Sequence, residues 1–293
     1  MKHEPISIAM SDGTRLAGFF VSPPEHGPHP LVILAPGSGG LSITLDWEQD
    51  NFFLYKSITE TLVNEGRSVL LLDKRGVGQS EGDWRTQSFF GRAADIRDMA
   101  LIMKERPDVI SERLSIAGHS QGGWIVQLAG ALYPQFFSSV LSLAGPACSV
   151  TEQIIDDTAS RLIQSRAAFL LPLVPVWGSL LKGYYALKRT SYLGRIIAYD
   201  ARPYLAVLRL PAYYVFAEND ALVPVSRNVP LMKALTEAAE SSVIITIIPA
   251  VNHAFARAGR YESWDTITPK ADDAFLEELR RYCQWEARHS CSL

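Results

Sequence analysis

The sequence predicts an α/β fold: a mostly parallel central sheet with helices on both faces and a helical insertion late in the chain. Three observations carry that prediction. Short apolar runs alternate with segments of helical periodicity through the first half of the chain. The alternation lapses between about residues 147 and 203, and then it resumes to the C-terminus. Strand–helix alternation of this kind argues for parallel strands joined by crossover helices.

The elements follow in order. Residues 6–10 and 15–21 alternate apolar and polar around Ser11-Asp12-Gly13, the pattern of a hairpin. Pro23, Pro24, Pro28 and Pro30 stiffen the next loop. Leu31-Val32-Ile33-Leu34-Ala35 is a fully apolar strand that ends in Pro36-Gly37-Ser38-Gly39-Gly40. Helices are expected over 57–65, 91–105 and 121–133, and strands over 68–72, 114–117 and 139–144. The stretch 147–203 reads as helical and apolar-to-basic, with expected helices over 151–169 and 180–187. Strands over 212–216 and 243–248 and helices over 230–240 and 270–286 complete the chain. The expected organisation is a core of residues 1–146 and 204–293 with a cap of residues 147–203. Ligands of open α/β sheets bind at the carboxyl ends of the strands, so this cap would roof the site.

Composition narrows the function. The 293 residues are 47% hydrophobic and 20% charged, as in ordinary globular proteins. A net charge of −3 with scattered Lys and Arg gives no electrostatic case for nucleic-acid binding. The three cysteines, Cys148, Cys283 and Cys291, lack C-x-x-C spacing, so neither a disulfide framework nor a zinc site is expected and a cytoplasmic setting is. Met1-Lys2-His3-Glu4-Pro5 has no apolar run of the signal-peptide kind. Residues 167–181 are the most apolar stretch. They are too short to span a bilayer and contain Pro172 and Pro175, so stable membrane insertion is not expected. The stretch is expected to pack against protein or to line a pocket.

Chemistry concentrates at Gly118-His119-Ser120-Gln121-Gly122, a G-x-S-x-G pattern between a predicted strand and a predicted helix. Such a turn holds a serine hydroxyl at the end of a sheet above a helix N-terminus. A serine needs a base, a group to orient the base and donors for the oxyanion. Of the six histidines, His253 is the candidate base, because it follows the last strand. His119, inside the tight turn, is poorly placed to serve Ser120. Asp220, just past the preceding strand, is the candidate acid, and Glu218 is its rival. Asp220 would also serve as a cap for the following helix. The backbone N–H of Gln121 and that of Ser38 are the expected oxyanion donors.

With these residues, the chain resembles the α/β-hydrolase superfamily, and within it bacterial esterases related to the serine-aminopeptidase-like and dienelactone-hydrolase-like branches. The matching segments are Ser11–Gly18, Pro36–Gly40, Asp73-Lys74-Arg75-Gly76-Val77-Gly78-Gln79-Ser80, Gly118–Gly123 and those holding Asp220 and Asn252-His253. One departure is Pro36-Gly37, where many relatives carry His-Gly. The glycines at 76, 78 and 82 do not have dinucleotide-binding spacing, and no helix is expected to start there. They read as a tight turn, with Asp73 and Arg75 in local hydrogen bonds.

The resemblance implies a carboxylesterase with an acyl-enzyme intermediate, needing no cofactor or metal and acting on a small-molecule ester. A peptidase or acyl-thioesterase would use the same residues, and a non-catalytic ligand-binding member of the fold is the more distant alternative. Activity is expected to rise with pH as the base loses its proton. Phe169, Trp177 and Tyr184 of the cap are candidates to line an apolar substrate pocket, with packing of the insertion onto the core as the alternative reading.

Overall fold

A computed structural model describes residues 1–44, 53–237 and 242–289. Eight strands form one sheet in the order β1-β2-β4-β3-β5-β6-β7-β8. They are β1 (Lys2–Ala9), β2 (Arg15–Ser22), β3 (His29–Ala35), β4 (Ser68–Leu72), β5 (Val109–His119), β6 (Ser139–Leu143), β7 (Ala212–Ala217) and β8 (Val243–Ile248). Only β1–β2 and β2–β4 pair antiparallel; every later pairing is parallel. The α/β fold expected from the sequence is the one observed: an α/β-hydrolase fold.

Residue patterns account for the strand positions. β4 and β6 are buried along their whole length, as central strands with covered faces must be. β1 is almost wholly exposed and carries Lys2, Glu4 and Pro5, which suit an edge that must not pair further. The β1–β2 turn forms at Asp12-Gly13, with Gly13 at φ 85°.

Helices cover both faces. α1 (Phe53–Asn64) and α9 (Asp273–His289) bury Leu54, Ile58, Leu62, Phe275, Leu279 and Tyr282 against one. α2 (Phe89–Met103), α3 (Gln121–Leu132) and α8 (Val225–Thr236) cover the other, through Phe89, Ile96, Met103, Trp124, Leu128 and Met232. Each fully buried aliphatic or aromatic side chain contributes about 1.5–3 kcal/mol. α8 starts five residues before the expected Pro230; Pro224 precedes it and Pro230 is held within it. Residues 238–240 of the expected helix lie outside the described residues.

Between β6 and β7 the chain adds helices and no named strand: α4 (Val150–Gln164), α5 (Val174–Leu187), α6 (Tyr192–Ile196) and α7 (Arg202–Leu205). Ser149 and Glu152 form a capping box at the start of α4. The expected helix 151–169 ends at Gln164, because Arg166 takes φ 59° and the chain turns there. Residues 167–181 differ from expectation. They form a 3₁₀ turn (Ala168–Leu173) and most of α5, and Phe169, Leu173, Val176 and Leu180 are exposed rather than packed on protein. Among the described residues, no helix is long and apolar enough to cross a membrane.

Candidate active site

The sheet order explains where the site lies. From β3 the chain crosses to β4 on one side and then to β5 on the other. The loops leaving β3 and β5 therefore meet at a crevice beyond the carboxyl ends of the strands. Ala35 pairs with Gly118, so Pro36–Gly40 emerges beside the elbow.

Ser120 sits between β5 and α3 at φ 56° and ψ −122°, a sparsely populated backbone region. Its amide donates to Leu143 O at 2.9 Å. The flanking glycines are required by close approach. A Cβ on Gly118 would lie 2.2 Å from Gly122 O, and one on Gly122 would lie 2.3 Å from Ala35 O. The pattern thus folds as an elbow because nothing larger fits beside the turn.

His253 and Asp220 follow β8 and β7. His253 Nδ1 is 2.7 Å from Asp220 Oδ2. The other carboxylate oxygen, Oδ1, accepts the amides of Leu222 and Val223, each at 2.8 Å. The expected capping role thus becomes a turn-holding one, and it occupies only one of the two oxygens. Asp220 is fully buried. Burial alone would raise its pKa; the facing His253 and the donors on both oxygens outweigh it and hold the carboxyl below the usual range. Glu218, the rival acid, is exposed and accepts the Ala250 amide at 2.8 Å, so it ties the β8 loop to β7.

His119 has a place the sequence did not reveal. Its Nε2 lies 2.8 Å from His253 O, and since a carbonyl only accepts, that nitrogen carries the proton. Burial, with His253 close by, pushes His119 down to about 3, so the ring is neutral at ordinary pH. Its ring centroid is 4.8 Å from that of His253. His119 therefore supports the His253 loop from below.

The Pro36–Gly40 loop is held by its carbonyls. Arg92 Nη2 donates to Pro36 O at 2.7 Å, and Lys74 Nζ donates to Gly37 O at 2.8 Å and to Gly39 O. The amide of Gly37 is spent on the Tyr55 hydroxyl at 2.8 Å. No peptide here is cis, so the Ser38 N–H points away from Lys74, opposite the Gly37 carbonyl. Arg92 Nη1 also reaches Gln121 Oε1 at 2.7 Å, and the Tyr192 hydroxyl donates to the same oxygen at 3.0 Å. One buried guanidinium thereby links the loop of Ser38 to the residue after Ser120. Burial and nearby Arg92 push Lys74 down to about 7, against the pull of Asp73; burial pushes the Tyr55 phenol up to about 12.

Sequence reasoning missed Tyr55, Lys74 and Arg92. Lys74 stood in the Asp73–Ser80 motif but was read only as part of a turn. The motif's turn is held locally, with the Val77 amide on Lys74 O and Ser80 Oγ on Asp73 O, while the side chains of Asp73 and Arg75 reach further. Asp73 accepts Ser42 Oγ at 2.5 Å, the Ile43 amide at 2.7 Å and Thr44 Oγ1 at 2.7 Å. Arg75 forks onto Asp95 at 2.6 and 3.0 Å and also reaches Asp12. The tight turn needs that reach, since Asp73 and Arg75 fix two other segments to it.

Two cavities meet at Ser120. One, of about 280 Å³, is lined by Ser38, Leu41, Tyr55, Lys74, Ser120 and His253, among others. The other, of about 250 Å³, lies under the cap and is lined by Ser38, Gln121, Trp124, Ile154, Asp157 and Leu193, among others. Ser38, Ser120, Gln121, Asp220 and His253 are thus brought to one place. Phe169, Trp177 and Tyr184 are not: they are 79%, 42% and 51% exposed and line neither cavity. The reason is packing order. α4 turns Ile154 to the cavity and Ile155 to Gly178 of α5, so it stands between α5 and Ser120.

Known proteins resemble this chain in sequence or in fold. Over 124 residues the chain is 30% identical to the uncharacterized protein YfhR of Escherichia coli K12, covering 41% of this chain and 39% of that one. It therefore spans about two fifths of that relative's length. It is 24% identical over 248 residues to the uncharacterized protein Rv2307c of Mycobacterium tuberculosis, covering 85% of this chain and 71% of that one. Among solved structures, the DcsB complex with its substrate analogue superposes with a TM-score of 0.69 at 16% identity, covering 99% and 100% of the two chains. Est1E of Butyrivibrio proteoclasticus with bound ferulic acid gives 0.63 at 17% identity, covering 98% and 100%. The Pyrococcus furiosus esterase PF2001 gives 0.65 at 16%, covering 99% and 91%. Residues 50–205, more than half the chain, match the family described as Serine aminopeptidase, S33, and the chain belongs to that family of α/β hydrolases.

Proposed function

We propose that this hydrolase cleaves a carboxylic ester through an acyl-enzyme intermediate. Ser120 Oγ attacks the ester carbonyl carbon. His253 takes the hydroxyl proton and delivers it to the leaving alkoxide. Asp220 orients the imidazole and stabilises its cation. The Ser38 and Gln121 amides receive the oxyanion. Water then attacks the acyl group, giving up a proton to His253, and the acid departs as Ser120 recovers its proton. The observation that carries the proposal is the 2.7 Å contact of His253 Nδ1 with a fully buried Asp220, its ring lining a cavity shared with Ser120 and Ser38.

The family's description makes an aminopeptidase the second reading. Such an enzyme must receive a free α-ammonium, which calls for an available carboxylate beside the nucleophile. The cavity on the Tyr55 side presents Lys74 instead, which favours an ester. Under the cap, Asp157 gives Oδ2 to Arg161 at 2.9 Å and keeps Oδ1 without a hydrogen-bond partner, so an aminopeptidase reading would rest on Asp157.

A fluorophosphonate probe should label the protein and fail to label Ser120→Ala. Turnover of the wild type should exceed that of the variant by roughly 10⁶-fold. Matched nitrophenyl ester, nitroanilide and acyl-thioester substrates then rank the readings. Labelling that survives Ser120→Ala would sink the nucleophile assignment, and faster cleavage of an aminoacyl anilide than of any ester would replace the esterase by the peptidase.

A further inference from the structure

The outer face of the cap is apolar, exposed and ringed by positive charge. Along α5, Leu173, Val176, Trp177, Leu180, Tyr184 and Leu187 recur three and four residues apart, and each is 42–88% exposed. The opposite stripe of the same helix, Val174 and Gly178, is buried, with Gly178 against Ile155 of α4. This is an amphipathic helix whose apolar side is turned outward, and Phe169 in the preceding turn, 79% exposed, extends it.

Charge is distributed just as unevenly. Residues 158–199 contain no Asp or Glu and six basic residues: Arg161, Arg166, Lys182, Lys188, Arg189 and Arg195. All six are exposed. Among the described residues, only Arg161 has an ion-pair partner, Asp157. The whole chain nonetheless carries −3, so the cap is a basic pole on an acidic protein.

We propose that this face of the cap docks on an anionic lipid surface, with Trp177, Leu180 and Tyr184 entering the headgroup region and the lysines and arginines meeting lipid phosphates. An exposed apolar stripe with aromatic residues and flanking Lys and Arg is the pattern that lies in the plane of a membrane interface. A second copy of the chain fits the face poorly, because a symmetric contact would set one net-positive cap against another. The docking surface is separate from Ser120, since α4 stands between them. Its test therefore does not depend on what Ser120 does.

The full chain is mixed with phosphatidylcholine vesicles containing phosphatidylglycerol and with vesicles of phosphatidylcholine alone, and flotation is measured. The protein should float with the first and on the order of tenfold less with the second. High salt should weaken the first interaction. Trp177→Glu with Leu180→Glu should abolish flotation while leaving the melting temperature unchanged, because both side chains are exposed. Reversal of Lys182, Lys188 and Arg189 to Glu should reduce binding to the anionic vesicles about tenfold and leave the melting temperature in place. Absence of flotation with anionic vesicles overturns the proposal. So does equal binding to both vesicle types, or undiminished binding of the Trp177/Leu180 variant. A dimer in solution that this variant dissociates, with no flotation, assigns the face to a second copy instead.

Discussion

The helix that follows Ser120, α3, and the cap helix α5 are both apolar-rich, yet they lie at opposite extremes of burial. α3 is buried for ten consecutive residues from Gln121, and its neighbours approach so closely that glycine is required. α5 keeps two buried residues of fourteen. The difference teaches what apolar content alone does not say: whether a segment is hidden depends on how many elements the topology stacks against it. α3 has the sheet beneath it and α2 and α7 alongside, whereas α5 rests mainly on α4 and the adjoining turn. Substitutions near Ser120 should therefore act on chemistry or folding at once, and those on the exposed stripe of α5 should act on neither.

The largest effect that sharpens this contrast is at Asp220. Asp220→Asn should lower kcat on the order of 10⁴-fold, measured on a nitrophenyl ester, because an amide cannot orient and stabilise the His253 cation. Glu218→Gln, two residues away, should stay within a few-fold. A comparable loss in both would make the acid assignment untenable.

Next comes Lys74. Lys74→Met should cost roughly 10–100-fold in kcat with little change in KM, since it frees the carbonyls whose capture aims the Ser38 amide. The sign of its pH dependence follows from the pKa. Held at about 7 when folded and near 10.5 when unfolded, Lys74 gives up its proton first in the native state. Activity should fall as pH rises through about 7 to 8, while the contribution of this group to stability rises over the same window. Lys74→Arg keeps the donor and the charge and should remove the alkaline fall. A limb that survives in Lys74→Arg would assign it to another group.

The smallest effect tests the cap. Gly178→Val would place a Cβ 2.6 Å from Ile155 Cγ1, so α5 must shift off α4 at a cost of about 1–3 kcal/mol. Limited proteolysis should cut the cap faster, with kcat on a small ester changed less than about fivefold. Loss of activity in proportion to cleavage would show that the contrast between the two regions is overdrawn.

Much of this was readable in the sequence because it is encoded locally. The elbow needs five consecutive residues, and the apolar runs of β3, β4 and β6 announce buried strands. Asp220 and His253 could be paired from their places after successive strands and from their order after Ser120. What escaped reading depends on distance along the chain. The contacts that hold Gly37 and Pro36 come from residues 18, 37 and 56 positions away, and no local pattern marks Tyr55, Lys74 or Arg92 for them. The exposure of Phe169, Trp177 and Tyr184 escaped reading for a different reason. A helical stripe of apolar residues has the same spacing whether a neighbour covers it or solvent does.

The burial of α3 has a consequence for how the protein wears out. Amides along that helix are shielded by the sheet and by flanking helices, so they should exchange with solvent hydrogen only when the whole domain opens. Heat would then silence Ser120 in step with global unfolding rather than before it, and half-life at elevated temperature would follow the unfolding rate. α5, resting mainly on α4, would open long before that, leaving a molecule that has lost its outer surface while Ser120 is still in place.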